Sequence, residues 1–314
     1  MKTKKITFEQ QAERFLAEGT SRKRGPLRPS SARRYRAVID NLNLLIGKLP
    51  LQNVGNKVVS EVVTKLSEQG YSPASIALNI VIIKKIRKSA VNDEGEQLFP
   101  ITWNTQMIDA PEVTSQKQPT IDAVGVQDAI SKADATGKAL YALLAGSGLR
   151  IAEALAIKVG PDDGISTMLV PAESKIIIRQ QLGRTGFGPT KTKAGQREVD
   201  LAPELIDYVL KNVWNRLWTD SSGPKSAELI FQNSEGFYRN CLEADGIEGG
   251  FHAFRRFRIT HLRMSGVPQP LIDYWDGHAA STMSERYTQV AGEIESRKQH
   301  AAKAGLGFKL PEAV

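Results

Sequence analysis

Apolar residues recur at helical spacing from the start of the chain. Phe8, Ala12, Phe15 and Leu16 share one face and predict a helix over residues 7–19. A second run opens at Ser30 and Ser31, residue types that cap helix starts, and continues through Tyr35, Val38, Ile39, Leu42 and Leu45 to Gly47. Two more follow near 57–69 and 73–91. Ser72 and Pro73 mark the entry to the last, and the run from Ile76 to Ile83 supplies its buried face. Residues 1–98 therefore predict a bundle of about four helices. From 99 to 119 the chain turns to Pro, Thr, Gln, Asn and Ser without a sustained period, which predicts a linker. Helical patterns return near 121–134, 137–147 and 150–158, followed by β-like runs at 166–170, 174–181 and 196–201. Helices resume near 203–218 and at several places from 236 to 303. The expected fold is mainly α with a small antiparallel β-sheet, the second domain spanning 120–314 with a tail from about 291.

Composition narrows the class. A chain of 314 residues, 41% hydrophobic, can bury two cores. The single cysteine, Cys241, excludes an internal disulfide, and no Cys/His cluster has zinc-ligand spacing. No apolar run is long enough to span a bilayer and the first residues turn polar at once, so the expectation is a soluble, cytoplasmic protein without membrane partners. The net charge is +8, and its distribution says more than its size. Residues 1–110 hold 18 Lys and Arg against 10 acids, which leaves 24 against 24 for the rest. The excess lies in Arg22, Lys23 and Arg24, in Arg33, Arg34 and Arg36, and in Lys84, Lys85 and Lys88, the pattern of a polyanion-binding module.

Three of the four histidines, His252, His261 and His278, fall within 27 residues. Arg255 follows His252 by three, on the same side of a helix's first turn. Gly277 precedes His278, and Tyr287 comes nine residues later, directly after Arg286. Far upstream, Gly146-Ser147-Gly148-Leu149 sets Arg150 at a helix start, with Glu153 one turn on. His261 sits in an amphipathic helix and reads as structural, as does Trp275.

In these elements and their order the chain resembles the tyrosine recombinase (phage integrase) family. The matched pieces are Gly148-Leu149-Arg150 through Leu155, then His252-Ala253-Phe254-Arg255, Gly277-His278 and Arg286-Tyr287. The likeness is detailed over roughly 118–290, and the basic N-terminal bundle resembles the family's core-binding domain in outline. The resemblance implies a site-specific recombinase that cuts and rejoins DNA through a 3′-phosphotyrosyl intermediate, with Tyr287 as nucleophile. The residue types suit that chemistry. Arg150 and Arg255 can fork the non-bridging oxygens of a pentavalent phosphate, and His252 and His278 titrate near neutrality, with the division of labour between them open. The family's leaving-group acid is a lysine on a β-hairpin. The segment Gly188–Val199 resembles that hairpin and offers Lys191, the preferred candidate, and Lys193 at the same strand parity, counted here with the DNA-contacting set.

The resemblance further implies double-stranded DNA as partner, a homotetramer on two duplexes passing through a Holliday junction, and a two-domain clamp whose N-terminal bundle supplies phosphate attraction. It implies neither a nucleotide cofactor nor a metal, leaves room for accessory directionality or DNA-bending proteins, and fits a prokaryotic or phage-encoded mobile element at the nucleoid. The segment Ala291–Gly305 is expected to pack against a neighbouring protomer. The alternatives are a DNA-relaxing enzyme of the type IB topoisomerase kind and a DNA-binding protein with a decayed site. A metal nuclease is disfavoured because Asp162-Asp163 sits in a Gly/Pro-flanked turn without partners.

Overall fold

The computed structural model describes residues 6–21, 25–114, 119–190, 192–217, 228–278 and 290–312. The chain divides into two compact units, Met1–Gln116 and Lys117–Val314, each with its own apolar core.

In the first unit α1 (Phe8–Ser21), α2 (Pro29–Ile46), α3 (Asn56–Glu68) and α4 (Pro73–Lys88) bury Phe8, Ile39, Leu42, Leu66, Ile76 and Ile83. Ser72 caps α4 by accepting from the Ser75 amide. The start of α2 differs from expectation. Pro29 occupies its first turn and Arg28 stands at the cap position, so Ser30 and Ser31 lie inside the helix; the fixed proline φ suits a first turn, where its missing N–H costs nothing. The aperiodic stretch from 99 is at its beginning part of this core. Phe99 and Trp103 pack on it, and Ile108, on the short α5 (Thr105–Ile108), is fully buried within it. Single anchors spaced four or five apart leave no period to read. Arg87, the one charged residue of the Lys84–Lys88 run that is buried, donates to the carbonyls of Leu51, Gln52, Val54 and Phe99 and so locks α4 to the turn before α3.

The second unit is built around α7 (Ala135–Ser147), buried over its last three turns and flanked by α6 (Ala123–Lys132), α9 (Pro203–Leu217) and α11 (His252–Met264). The single turn α8 (Ile151–Ala154) leads into a five-stranded sheet. Its strands are β1 (Ile157–Val159), β2 (Thr167–Val170), β3 (Lys175–Ile178), β6 (Arg197–Asp200) and β7 (Glu228–Leu229), in the order β6-β3-β2-β1-β7. The helix expected over 150–158 thus stops at Ala154, and its apolar end is a buried strand. The sheet is mixed rather than antiparallel, because β1 and β2 run parallel. The reason lies in the loop 160–166. Asp163 accepts from the Ile165 and Ser166 amides and from the Ser166 hydroxyl, while Asp162 accepts from Gly164, folding the loop tightly enough to carry the chain back beside the start of β1. A two-stranded ribbon, β4 (Gln180–Gly183) with β5 (Gly186–Pro189), projects between β3 and β6. Helices α10 (Glu235–Ala244), α12 (Gln269–Asp276) and α13 (Ile294–Ala304) complete the unit. Among the described residues no helix is long and apolar enough to cross a membrane.

Candidate active site

Arg150, Arg255 and His278 meet around the C-terminal end of α12. Gly148 ends α7 in the left-handed conformation, φ +72°, and a Cβ there would stand 3.3 Å from Asp276 Oδ1 and 3.2 Å from Arg258, so the turn into Arg150 suits glycine. The carbonyl of Gly148 accepts from Arg255 NH1 at 2.7 Å, and that of Asp276 accepts from Arg255 NH2 at 2.6 Å and from Arg150 NH1 at 3.3 Å. One oxygen therefore gathers both guanidinium groups. Arg255 NH2 also lies 3.4 Å from His278 Nε2. His278 follows Gly277, which caps α12 with φ +64°, and its half-exposed ring has Nδ1 3.8 Å from Asp273 Oδ1. His252 opens α11 one turn before Arg255 and is exposed.

Carboxylates hold the arginines from behind. Glu153, 2% exposed, accepts from the Arg150 amide and from Arg150 NH1, and it forms a second, wholly buried pair with Arg197 at 3.0 Å. Burial pushes the Glu153 carboxyl up, but the charge and hydrogen bonds of Arg197, aided by Arg150, outweigh it and hold the group below its usual range. Asp276 has the opposite balance. Burial lifts it above the usual carboxylate range against the charges of Arg255, His278, Arg197 and Arg150, and its Oδ2 has no hydrogen-bond partner among the described residues. Arg255 is pushed below its ordinary value by burial, and Arg258, deeper still, down to about 10.

His252 is held below the ordinary histidine value, first by desolvation and then by the charges of Arg255, Arg256 and Arg150. The neutral ring thus persists to more acid pH than in a free histidine, whose value is about 6.5. If the chain cleaves DNA, as the resemblance in its sequence implies, and neutral His252 takes the nucleophile's proton, the second-order rate of that cleavage will fall on the acid side with a midpoint below about 6.5. His252→Gln will remove that limb. A pH series of covalent-adduct formation measures both, and a midpoint at or above 6.5 would sink the assignment.

No protein-family model matches the chain, and no curated protein matches it in sequence. Solved structures do. The Tn1549 transposon integrase in complex with a circular intermediate DNA is similar over 94% of this chain and 99% of its own, with a TM-score of 0.66 at 17% identity. A lambda integrase dimer bound to a COC′ core site gives 0.63 at 15% identity, over 91% of this chain and 97% of its own. The lambda integrase tetramer bound to a Holliday junction gives 0.60 at 16% identity, over 92% and 79%. The chain shares the fold of these integrases.

Within this integrase fold the residues expected at the site divide as follows. Arg150, Arg255 and His278 lie together, and His252 stands on the same helix face as Arg255. Tyr287 and Lys191 fall outside the described residues, as do Arg22, Lys23 and Arg24. Lys193 begins a 3-10 turn, Lys193–Gly195, between β5 and β6. Lys193 therefore does not lie on a strand, so the strand-parity reading does not hold for it. Arg33 and Arg34 are exposed on α2, and Arg36 pairs with Glu13 of α1. Lys85 and Lys88 are exposed on α4, where Lys85 donates to the Tyr35 hydroxyl at 2.8 Å, and Lys84 stands 5.3 Å over the Trp103 ring. Trp275 packs beneath the site, its indole N–H donating to Asp200, and His261 Nε2 lies 2.8 Å from the Ala304 carbonyl. Both are structural, as their setting in the sequence suggests. Asp276 and Arg197 were not marked by sequence reasoning, because the side chains they meet across the site come from 21 to 126 residues away.

Proposed function

We propose that this chain is a tyrosine-type site-specific DNA recombinase, a strand transferase that cuts and rejoins duplex DNA through a 3′-phosphotyrosyl intermediate. The observation that carries the reading is the convergence of Arg150 and Arg255 on the Asp276 carbonyl beside His278, in a fold shared with integrases solved on DNA. Two fixed forks beside an imidazole suit a phosphate whose non-bridging oxygens gain charge in the transition state. In the reaction the Tyr287 Oη–phosphorus bond forms as the phosphorus–O5′ bond breaks. The tyrosine proton passes to a base, for which His252 is suited by its depressed basicity, and Lys191 gives a proton to the departing oxygen. Rejoining reverses each step, with a 5′ hydroxyl of another strand attacking the phosphotyrosine.

In this reading residues 1–98 form the core-binding module and 120–314 the catalytic domain, with 99–119 between them. Arg33, Arg34, Lys84, Lys85 and Lys88 attract phosphates with little sequence information, so binding weakens steeply with salt. Arg22, Lys23, Arg24, Arg36 and Lys193 are proposed for the same phosphate-attracting set. Four protomers on two duplexes, a Holliday junction, mobility of a genetic element and a place at the nucleoid follow by analogy with the transposon and lambda integrases. The test is covalent trapping. Purified protein is mixed with nicked suicide duplexes drawn from DNA flanking its gene and run on a denaturing gel. A protein band shifted by the 3′-attached strand is expected. Attachment to a 5′ end, or no adduct despite salt-sensitive binding to the same duplexes, would overturn the reading.

A further inference from the structure

The described residues between β5 and β6, Thr190 and 192–196, form a clipped turn in the segment of sequence that carries both candidate lysines. Thr190, 5% exposed, donates from its hydroxyl to the Thr192 carbonyl at 2.8 Å, and the Gly195 amide donates to the same carbonyl at 3.0 Å. What joins this turn to the rest of the site is one guanidinium. Arg197, with no exposed side-chain surface, donates to the Gly195 carbonyl at 2.9 Å, to Glu153 at 3.0 and 3.3 Å, and to the Trp275 carbonyl at 2.5 Å. It also lies flat on Gly277, where a Cβ would stand 2.7 Å from its NH1 and 3.1 Å from the Ala194 carbonyl. Arg197 thus touches the lysine loop, the carboxylate that holds Arg150, and Trp275 and Gly277 just before His278. A lysine could keep the charge but not four directed donations, since its ammonium has three N–H groups and no planar fork.

We propose that Arg197 is a positioning residue for leaving-group protonation: it fixes the lysine-bearing loop relative to Arg150 and His278 while never touching DNA itself. The inference rests on the strand-transfer reading above. Protonation matters only where the departing atom is a strong base. A substrate whose scissile phosphate bears sulfur in place of the bridging 5′ oxygen releases a thiolate, which leaves without a proton because its conjugate acid has a pKa near 8.5. A defect confined to the loop is therefore cured by that substitution, and a defect in charge stabilisation by the arginines is not.

The experiment measures adduct formation at saturating duplex, once with the ordinary phosphodiester and once with the 5′-bridging phosphorothiolate, for wild type, Arg197→Lys, Thr190→Val and, as reference, Arg150→Lys. Arg197→Lys is expected to slow cleavage of the ordinary duplex about 100-fold, at the low end for loss of general acid catalysis, and to return within about 3-fold of wild type on the sulfur substrate. Arg150→Lys stays slow on both. Thr190→Val loosens the turn without touching Arg197 and is expected to show a smaller defect with the same rescue, which covers the case in which Arg197→Lys does not fold. Equal slowing on both substrates, or no slowing on either, overturns the inference while wild-type adduct keeps the strand-transfer reading standing. Absence of wild-type adduct on both overturns that reading itself, and the inference falls with it.

Discussion

Tyr287→Phe will abolish the covalent adduct, lowering its rate by at least about 10⁴-fold, while changing the affinity for the same duplex by less than about 3-fold. The asymmetry follows from where charge and nucleophile sit. Phenylalanine keeps the ring and removes only the oxygen that, in the proposed strand transfer, bonds to phosphorus. Phosphate attraction comes from residues the substitution leaves alone. Arg255 is fixed by two carbonyls and Arg150 by Glu153. A gel-shift titration run beside the trapping gel separates the two quantities. If Tyr287→Phe still forms an adduct, the nucleophile is another residue; if it loses binding in parallel, the tyrosine is a structural ring rather than a reacting one.

How far the fold could be read in advance depended on the range of the contacts that make it. The four helices of the first unit were legible because each buries a stripe at 3.6-residue spacing, and the largest difference, the entry to α2, is a matter of which residue precedes a proline. The arginine and histidine boxes were legible because each is local: a glycine turn before Arg150, one helical turn from His252 to Arg255, a left-handed cap before His278. Strand β1 was hidden because Ile151, Ala154 and Leu155 continue a helical period into Ile157, and only pairing with β2 and β7 decides otherwise. The parallel pairing of β1 with β2 depended on side-chain hydrogen bonds inside one loop. Arg197 and Arg297 look like ordinary surface arginines in sequence and are among the most buried charges in the protein, since Glu153, Asp200 and Glu198 reach them from 44, 97 and 99 residues away. Contacts of that span leave no local pattern.

The last of those long-range pairs leads to the other large effect: deleting residues 292–314 will destabilise the catalytic unit by at least about 5 kcal/mol, enough to unfold many domains. α13 docks on its own chain in this structure. Arg297, 1% exposed, donates through Nε to Asp200 at 3.0 Å and through NH2 to Glu198 at 2.5 Å, and it bonds the Ala291 carbonyl and lies over the Tyr274 ring. Beyond the helix, the carbonyls of Ala304 and Gly305 meet His261 and Arg258, Leu306 enters the core beside Gly146 and Leu205, and Phe308 sets its edge on Phe257. Removing the arginine leaves the Asp200 carboxylate buried without its charge partner, a loss of about 3–5 kcal/mol, and exposing the pocket of one leucine adds about 1.5–3. For a unit of this size each kcal/mol moves the thermal midpoint by about 2–4 °C, so calorimetry should show a fall of at least about 10 °C. Arg297→Met, which keeps the stem and the apolar anchors, should show the smaller, ionic share of that fall. A truncated chain melting within about 2 °C of the full one would mean that the tail contributes nothing to its own unit and is free to pack elsewhere.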